Sequence, residues 1–387
     1  MRFIHRPLPR VSLLATALLV IAAGCSRDPA PAATGPAPAA TQDPAPMTTE
    51  TTRTTPTPAD AQMQAVLDQL GELGAKPLET LTPEQARAQP SPADAVGAVL
   101  KAQGKPTAPE VVAKVQDSTF PGPAGPVDIR IYTPAQSGPE ASDPMPVILY
   151  IHGGGWVIAN LDVYDASPRA LANAAKAIVV STHYRQAPEH KFPAAHEDTL
   201  AAYKWVLANA AKLGGDPKRV ALVGESAGGN MAAAIAIAAR DQKLQAPLAQ
   251  LLVYPIAGND MTTESYIENA TATPLGKAGM EWFVKHTFAS PQEAADPRIN
   301  LIGRNDLAGL PPTTIILAQI DPLRSDGEQY AEKLRAAGVP VMVQRYDGVT
   351  HEFFGMAAVV DKAKQAQQFA GEKLRAAFAA APSPEAR

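Results

Sequence analysis

Continuous runs of apolar residues recur along the chain from about residue 147 onward. Runs without polar alternation are typical of strands buried on both faces of a sheet, and most of these runs are separated by apolar residues at helical spacing. Alternating strands and helices indicate a parallel sheet. We therefore predict an α/β fold with a mostly parallel, twisted central sheet flanked by helices. The predicted strands lie at 147–151, 177–181, 220–223, 251–254, 313–320 and 341–345.

Two further strands are predicted ahead of this sheet. The runs 111–116 and 127–132 have the composition of strands, and a cluster of proline and glycine at 121–126 lies between them. Turn residues between two strand-like runs favour an antiparallel hairpin. We expect this hairpin at an edge of the sheet.

A helical cap is predicted from two segments that lack the strand pattern. In the first, 60–105, apolar residues between positions 63 and 70 recur at helical spacing, and Ser91 before a proline is typical of a second helix start. In the second, part of 256–310, no strand followed by a helix is evident. We therefore expect two amphipathic helices in the first segment and an excursion from the sheet, forming part of a lid, in the second.

The amino-terminal residues 1–24 have the pattern of a secretory signal peptide. Three arginines precede an apolar run at 11–23, which is shorter than the roughly 20 residues that span a bilayer. The last residues before Cys25 are small and resemble the lipobox of bacterial lipoproteins, in which the cysteine is lipidated. Because Cys25 is the only cysteine, an intramolecular disulfide is excluded.

These features predict three regions along the chain. Residues 1–24 would be a lipoprotein signal peptide, 25–59 a lipidated cysteine with a disordered linker rich in Pro, Ala and Thr, and 60–387 the folded domain. The lipid on Cys25 would attach the protein to a bacterial membrane. Family rules favour the outer membrane on its periplasmic side, because serine follows the cysteine; a secreted or periplasmic protein is the alternative.

Charge and histidine content narrow the classes of partner. The net charge of −4 is spread without long single-sign runs, which argues against a nucleic-acid-binding surface. The four histidines between 152 and 196 match no common zinc spacing, and no clustered carboxylates complete a ligand set. We therefore predict no nucleic-acid partner and no metal.

A nucleophilic serine is predicted at position 226. The predicted strand 220–223 runs into Gly224-Glu225-Ser226-Ala227-Gly228, and a helical pattern follows. Strand, G-x-S-x-G and helix in this order are the signature of a nucleophile elbow. The turn is so tight that Gly224 and Gly228 must lack side chains, and the serine backbone is strained.

A weak serine nucleophile needs a base and an acid that orients the base. In a fold of this kind the chain order is serine, acid, histidine. His351 is the only histidine after residue 301, and it follows the predicted strand 341–345. Asp321 directly follows the strand 313–320 and is the preferred acid. Asp326 and Asp347 are its competitors, although each would need a less direct geometry.

Backbone amides that stabilise an oxyanion are predicted at two places. His152-Gly153-Gly154-Gly155 follows the strand 147–151, and glycines let the backbone approach a reacting carbonyl closely. Amides of this triplet, with that of Ala227, are the natural donors. A phosphate-binding loop is the competing interpretation, but neither glycine-rich segment has the residues that a P-loop or a dinucleotide fingerprint requires.

Together these motifs resemble the hormone-sensitive-lipase-like esterases of bacteria over about 147–354. The resemblance implies hydrolysis of carboxylic esters with short to medium acyl chains, beneath a cap, without cofactor. It also implies that Gly154 and Gly155 are the main oxyanion donors beside Ala227. Departures are small, such as His183 where an aspartate is usual. The motifs that carry the resemblance are 152–156, 184–198, 224–229, 321–324 and 351–353.

Two alternatives stay open at this point. The same triad and oxyanion hole would serve amide or lactone hydrolysis, because the pocket decides the substrate. A membrane-tethered binding protein without turnover is an alternative from another class. The intact set of Ser226, Asp321 and His351 argues against the second alternative.

Overall fold

An eight-stranded sheet forms the centre of the computed structural model, which describes residues 57–135 and 143–380. The strands are β1 (Lys114–Gly122), β2 (Gly125–Thr133), β3 (Met145–Ile151), β4 (Ile178–His183), β5 (Gly215–Glu225), β6 (Gln250–Val253), β7 (Thr313–Ile320) and β8 (Val341–Thr350). Their order in the sheet is β1-β2-β4-β3-β5-β6-β7-β8. β1 pairs with β2, and β2 with β4, in antiparallel fashion, whereas all other pairs are parallel. The predicted α/β fold with a mostly parallel sheet is confirmed.

Successive side chains of a central strand enter two different cores. In β3, Val147, Leu149 and Ile151 pack into one cluster, while Ile148 and Tyr150 pack into the other, and all five are fully buried. Alternation between two apolar faces leaves no polar position in the strand. This explains why the strand appears in the sequence as an uninterrupted apolar run.

Ten α-helices lie in the described ranges, and they cover both faces of the sheet. Apolar residues of α5, α6 and α9 pack in one cluster, and those of α1, α3, α4 and α10 in the other. The helices are α1 (Ala61–Glu72), α2 (Pro83–Ala88), α3 (Pro92–Ala102), α4 (Ala166–Ala175), α5 (Ala194–Asn209), α6 (Ala227–Asp241), α7 (Glu264–Glu268), α8 (Lys277–Thr287), α9 (Arg324–Ala336) and α10 (Asp361–Ala379). None of the helices in these ranges is long and apolar enough to cross a membrane.

The edge hairpin lies further along the chain than we predicted. The first strand was expected at 111–116, but β1 extends from Lys114 to Gly122, so most of the Pro/Gly cluster belongs to the strands and only positions 123 and 124 form the turn. Pro121 pairs with Pro126 in the last rungs of the hairpin. A strand at the edge of a sheet tolerates proline because one side needs no amide donor. The hairpin and its edge position were predicted correctly.

The amino-terminal segment contains one more helix than expected. α1 and α3 correspond to the two predicted helices, and Ser91 caps α3 as anticipated. The additional α2 begins with a capping box, in which Thr82 and Gln85 bond each other's backbone amides. The helix has only 6 residues, too short to produce a periodic apolar pattern.

The excursion between β6 and β7 contains α7 and α8 and no strand, as the sequence predicts. The indole nitrogen of Trp282 in α8 donates a hydrogen bond of 2.9 Å to the carbonyl of Leu81. This bond joins the excursion to the amino-terminal helices. The predicted signal peptide, Cys25 and nearly all of the linker lie outside the described residues.

Candidate active site

Ser226 lies in a sharp turn between β5 and α6. Its backbone has φ 56° and ψ −119°, a conformation with positive φ that residues other than glycine rarely adopt. A β-carbon at Gly224 would lie 2.1 Å from the carbonyl oxygen of Gly228, and one at Gly228 would lie 2.0 Å from that of Ile151. The two glycines are therefore required by the close approach of three backbone segments.

Strand ends bring Ser226, His351 and Asp321 together. His351 Nε2 is 3.0 Å from Ser226 Oγ, and His351 Nδ1 donates to Asp321 Oδ2 at 2.7 Å. All three side chains are buried. The other carboxylate oxygen of Asp321 accepts from the amide of Leu323 at 2.8 Å. The hydrogen bonds form a continuous chain from carboxylate to hydroxyl, which is the arrangement that activates a serine.

Neither competing aspartate contacts His351 in the described structure. Asp326 is buried and accepts two hydrogen bonds, of 2.9 and 2.8 Å, from the amides of Ala257 and Gly258, where the excursion begins. Burial raises the pKa of Asp326 to about 7. Asp347 is exposed and pairs with Arg345 at 2.8 Å. Both aspartates therefore have structural contacts of their own.

The position of His351 follows from an irregularity in β8. The strand was predicted to end at 345 but continues to Thr350, and the pairing register with β7 shifts between Ala318 and Ile320. Gly348 with φ 72° lies in the shifted part. The bulge allows β8 to continue, so that His351 directly follows a strand rather than a long loop.

The excursion holds Asp321, the predicted acid, in place. Asn269 donates from its side-chain amide to the backbone carbonyl of Asp321 at 3.3 Å, and Ser265 Oγ donates to the carbonyl of Pro322 at 2.6 Å. Arg324 pairs with Glu268 at 2.8 Å on the same face. Sequence reasoning missed these supporting residues, because nothing in their local pattern indicates a contact with residue 321.

Neighbouring carboxylates, Asp321 above all, determine the charge of the His351 imidazole. Burial alone lowers the pKa of His351, but Asp321 and, to a smaller extent, Glu352 and Glu225 outweigh this effect and the net pKa is raised. The ring of Tyr254 lies against the imidazole, with centroids 4.5 Å apart. The site thus favours the imidazolium that forms when the histidine accepts a proton.

The glycine triplet presents free amides next to the serine. Gly154 and Gly155 have φ values of 87° and 56°, and neither backbone nitrogen has a hydrogen-bond acceptor among the described residues. Both glycines line the same cavity as Ser226 and His351. Ala227 is the first residue of α6, where helical amides have no partner in a preceding turn. These are the three predicted oxyanion donors.

Buried rings support the glycine loop from below. Tyr184 donates from its hydroxyl to the carbonyl of Gly153 at 2.7 Å, and Nε2 of His152 lies 3.1 Å from Nδ1 of His183. Burial lowers the pKa of His152 to about 3, so this imidazole is neutral at physiological pH. The histidines have structural contacts, and the described residues include no group of three or more His, Cys, Asp or Glu side chains that could hold a metal ion.

A cavity of about 1270 Å³ opens above the serine. Its walls come from both predicted cap segments, with Leu70 and Ala86 from the amino-terminal helices and Met280 and Phe283 from α8. Phe283 packs directly on the oxyanion loop, since a β-carbon at Gly155 would lie 2.2 Å from its ring. The sequence does not indicate this contact, because a large aromatic side chain is more often part of the core.

Two glutamates flank the triad, of which Glu225 is buried and Glu352 is partly exposed. Glu225 precedes the serine and accepts hydrogen bonds from the hydroxyls of Tyr150, at 2.6 Å, and Tyr254. Glu352 follows the histidine and accepts from the hydroxyl of Tyr164 at 2.6 Å. Burial raises the pKa of both, that of Glu225 to about 7. The position of Glu225 beside the serine suggests a supporting role, whereas nothing in the sequence around Glu352 indicates its contact with Tyr164.

Known proteins resemble this chain over the same region. A family model described as alpha/beta hydrolase fold matches residues 148–355. Carboxylesterase NlhH of Mycobacterium tuberculosis is 43% identical over 244 residues, which cover 62% of this chain and 75% of that protein. Ethyl acetate hydrolase of Pseudomonas putida is 32% identical over 300 residues, covering 77% of this chain and 92% of that protein.

Solved structures of esterases are similar as well. The hyperthermophilic esterase from the archaeon Pyrobaculum calidifontis superposes with a TM-score of 0.74 at 34% identity, and the match covers 83% of this chain and 98% of that one. A thermostable esterase from Pseudomonas putida has a TM-score of 0.74 at 31% identity with the same coverage. The likeness thus extends over nearly the whole length of each solved structure and over 83% of this chain.

Proposed function

Because the chain belongs to the α/β-hydrolase family of hormone-sensitive-lipase-like esterases and is a carboxylic ester hydrolase, we propose that it cleaves short- to medium-chain acyl esters by way of an acyl-enzyme on Ser226. The observation that carries this proposal is the hydrogen-bonded chain from Asp321 through His351 to Ser226 at the floor of the cavity.

Acylation begins when Ser226 Oγ attacks the ester carbonyl and its proton passes to Nε2 of His351. Asp321 holds Nδ1 of the ring, which fixes the tautomer and stabilises the resulting imidazolium. The carbonyl oxygen becomes negative and accepts hydrogen bonds from the amides of Gly154, Gly155 and Ala227. As the C–O bond breaks, the imidazolium gives its proton to the departing alcohol.

Deacylation uses the same groups with water as the nucleophile. His351 removes a proton from water, the hydroxide attacks the acyl carbonyl, and the same amides stabilise the second oxyanion. Collapse of this intermediate releases the carboxylic acid and returns the proton to Ser226. Every proton transfer takes place at Nε2 of His351, which the structure places 3.0 Å from the serine oxygen.

The proposed range of substrates is supported by the volume of the cavity and by the activities for which relatives are named. The space of about 1270 Å³ is roofed by both cap segments, and pockets that bind drug-sized ligands typically have volumes of about 300–1000 Å³. One relative is named for ethyl acetate, an ester with a short acyl chain. These observations support small and medium esters and provide room for a bulky alcohol group.

Hydrolysis of p-nitrophenyl acetate, butyrate, octanoate and palmitate by the full-length protein tests this function, with Ser226→Ala as the matched control. We expect turnover of the shorter esters by the unmodified protein and none by the variant. A lactone and an anilide in the same panel test the alternative substrates. Preference for either of these over butyrate, or equal activity in the variant, would contradict the proposal.

We also propose that a lipid on Cys25 anchors the protein to a bacterial membrane, facing the periplasm. The support comes from the sequence alone, namely the signal-like residues 1–24, the lipobox-like residues before Cys25 and the absence of a second cysteine. Cell fractionation of the wild type and of Cys25→Ser tests the anchor. Recovery of a processed Cys25→Ser protein in the membrane fraction would show that another feature holds it there.

A further inference from the structure

A second carboxylate lies beside the catalytic imidazole. Glu352 Oε1 is 3.8 Å from Nε2 of His351, the nitrogen that also contacts Ser226. The same oxygen accepts the hydrogen bond of 2.6 Å from Tyr164. The hydroxyl of Tyr164 is itself confined against Gly153, where a β-carbon would come within 2.3 Å of it. The carboxylate therefore has a fixed place next to the reacting nitrogen.

The backbone at Glu352 indicates that this place is imposed by the surrounding structure. Its φ of 70° and ψ of 0° lie in the left-handed region, which favours glycine or asparagine over glutamate. Strained backbones of this kind persist where surrounding contacts hold them, and they are concentrated at functional sites. Glu352 lines the cavity above the serine, and its side chain is 21% exposed. The strain thus presents a carboxylate to the catalytic centre.

We propose that Glu352, held by Tyr164, is a positioning residue that stabilises the charged form of His351 from the Nε2 side. This inference rests on the ester hydrolysis proposed above. Asp321 acts on the opposite nitrogen, so the imidazolium formed during each proton transfer lies between two carboxylates. Opposite charges at this separation attract strongly in a buried site, because water screens them poorly.

Several other charged and titratable groups surround His351 and Glu352. His351 faces Asp321, Glu352 and Glu225, and burial opposes its charge. Glu352 interacts with His351, Tyr164 and Asp321, and burial raises its pKa. Glu225 is bonded to two tyrosines, and no described hydrogen bond or ion pair joins it to His351. The tyrosines around the two glutamates are Tyr150, Tyr164, Tyr184 and Tyr254, whose pKa values are all raised by burial.

The pH dependence of kcat/KM for p-nitrophenyl butyrate, measured on the full-length protein from about pH 5 to about pH 9, tests the proposal. Activity requires neutral His351, so its titration sets the acid limb of the profile. In Glu352→Gln the imidazolium loses a neighbouring negative charge, and we expect the acid limb to move to lower pH by about one unit. The plateau value of kcat should fall severalfold, while KM changes little.

Four further variants test whether a shift of the acid limb comes from the charge of Glu352. Glu352→Asp retains the charge and should keep the acid limb near its wild-type position, and Tyr164→Phe should move it in the same direction as Glu352→Gln but less. Glu225→Gln removes a carboxylate from the same buried cluster without a contact to His351 and should shift it less than Glu352→Gln. Glu332→Gln makes the same chemical change at an exposed site on α9 and should leave the profile unchanged.

Active-site titration with a phosphonate gives the competent fraction of each preparation, so misfolding does not enter kcat. An acid limb that stays within about 0.2 unit in Glu352→Gln, even with a lower plateau, would overturn the proposal. If Glu352→Gln does not fold, an unshifted limb in Tyr164→Phe overturns it instead. Full activity of Ser226→Ala would mark the failure of the proposed reaction itself, which is a separate outcome.

Discussion

At Gly155 the oxyanion loop contacts Phe283 of the cap. The effect of replacing this glycine by alanine on kcat can be derived from the contact. The new β-carbon would lie 2.2 to 2.5 Å from three atoms of the Phe283 ring, well inside the roughly 3.5–4.0 Å of a normal carbon contact. Phe283 is buried, and its ring packs on that of Trp282 with centroids 5.2 Å apart. The overlap therefore has to move the loop, the ring or both by about 1 Å.

Two contributions to the effect of Gly155→Ala can be separated. The φ of 56° strains any residue with a side chain, by about 1 kcal/mol. Displacement of the amide removes one oxyanion donor, a loss worth about 3–4 kcal/mol in the transition state. We therefore expect kcat for p-nitrophenyl butyrate to fall by about a hundred- to a thousandfold, with a smaller change in KM.

The double variant Gly155→Ala with Phe283→Ala distinguishes a steric effect from a backbone effect. Removal of the ring leaves space for the new methyl group, so the double variant should be more active than Gly155→Ala, although Phe283→Ala alone lowers stability by about 3–5 kcal/mol. Gly97→Ala is the matched control, because its β-carbon would meet no atom within 4 Å and its backbone carries no positive φ. Activity of Gly155→Ala within about threefold of the wild type would refute the reasoning that amide displacement dominates.

Three other predictions follow from the contacts of the site. Removal of the side-chain amide in Asn269→Ala should lower kcat severalfold with little change in KM, because Asp321 loses the bond to its backbone carbonyl; steady-state kinetics measure this, and an unchanged kcat would contradict it. The acid limb of kcat/KM in the wild type should have its midpoint above pH 6.5, since the pKa of His351 is raised from that value; a midpoint below 6.5 would contradict the dominance of Asp321 over burial. The pKa of Asp326 is raised from 3.8 to about 7, so the folded state binds the proton more tightly than the unfolded state does. Asp326 therefore contributes stability below pH 3.8, and this contribution is lost as pH rises to about 7. Asp326→Asn should therefore gain stability relative to the wild type between those two values in urea unfolding, and a difference that does not change with pH would refute the sign.

The sequence was sufficient to predict the residues whose position depends on strand ends. Asp321 and His351 could be selected because each follows a long apolar run, and the carboxyl ends of parallel strands meet at one edge of a sheet. The glycines beside Ser226 could be predicted because a tight turn excludes side chains. These arguments need only local patterns and the order of elements along the chain.

Contacts between distant segments were not predictable from such patterns. Tyr164 and Glu352 are 188 residues apart, and Arg87 is 70 residues from the carbonyl of Val157 that it binds. The sequence around each of these residues is compatible with an exposed polar side chain. Only tertiary packing brings them together, and the periodicity of a segment contains no information on that packing. The same applies to Phe283, whose apolar character predicts burial but no particular partner.

The excursion between β6 and β7 contacts the proposed catalytic groups and also forms a wall of the cavity. Thr287 donates from its hydroxyl to the carbonyl of Gly155 at 3.2 Å, and Phe283 covers the same glycine from the cavity side. At its other end, Asn269 donates to the carbonyl of Asp321. The segment thus touches both the oxyanion loop and the acid loop. A rearrangement of α7 and α8 large enough to admit substrate would break these bonds and disturb the groups that perform the reaction.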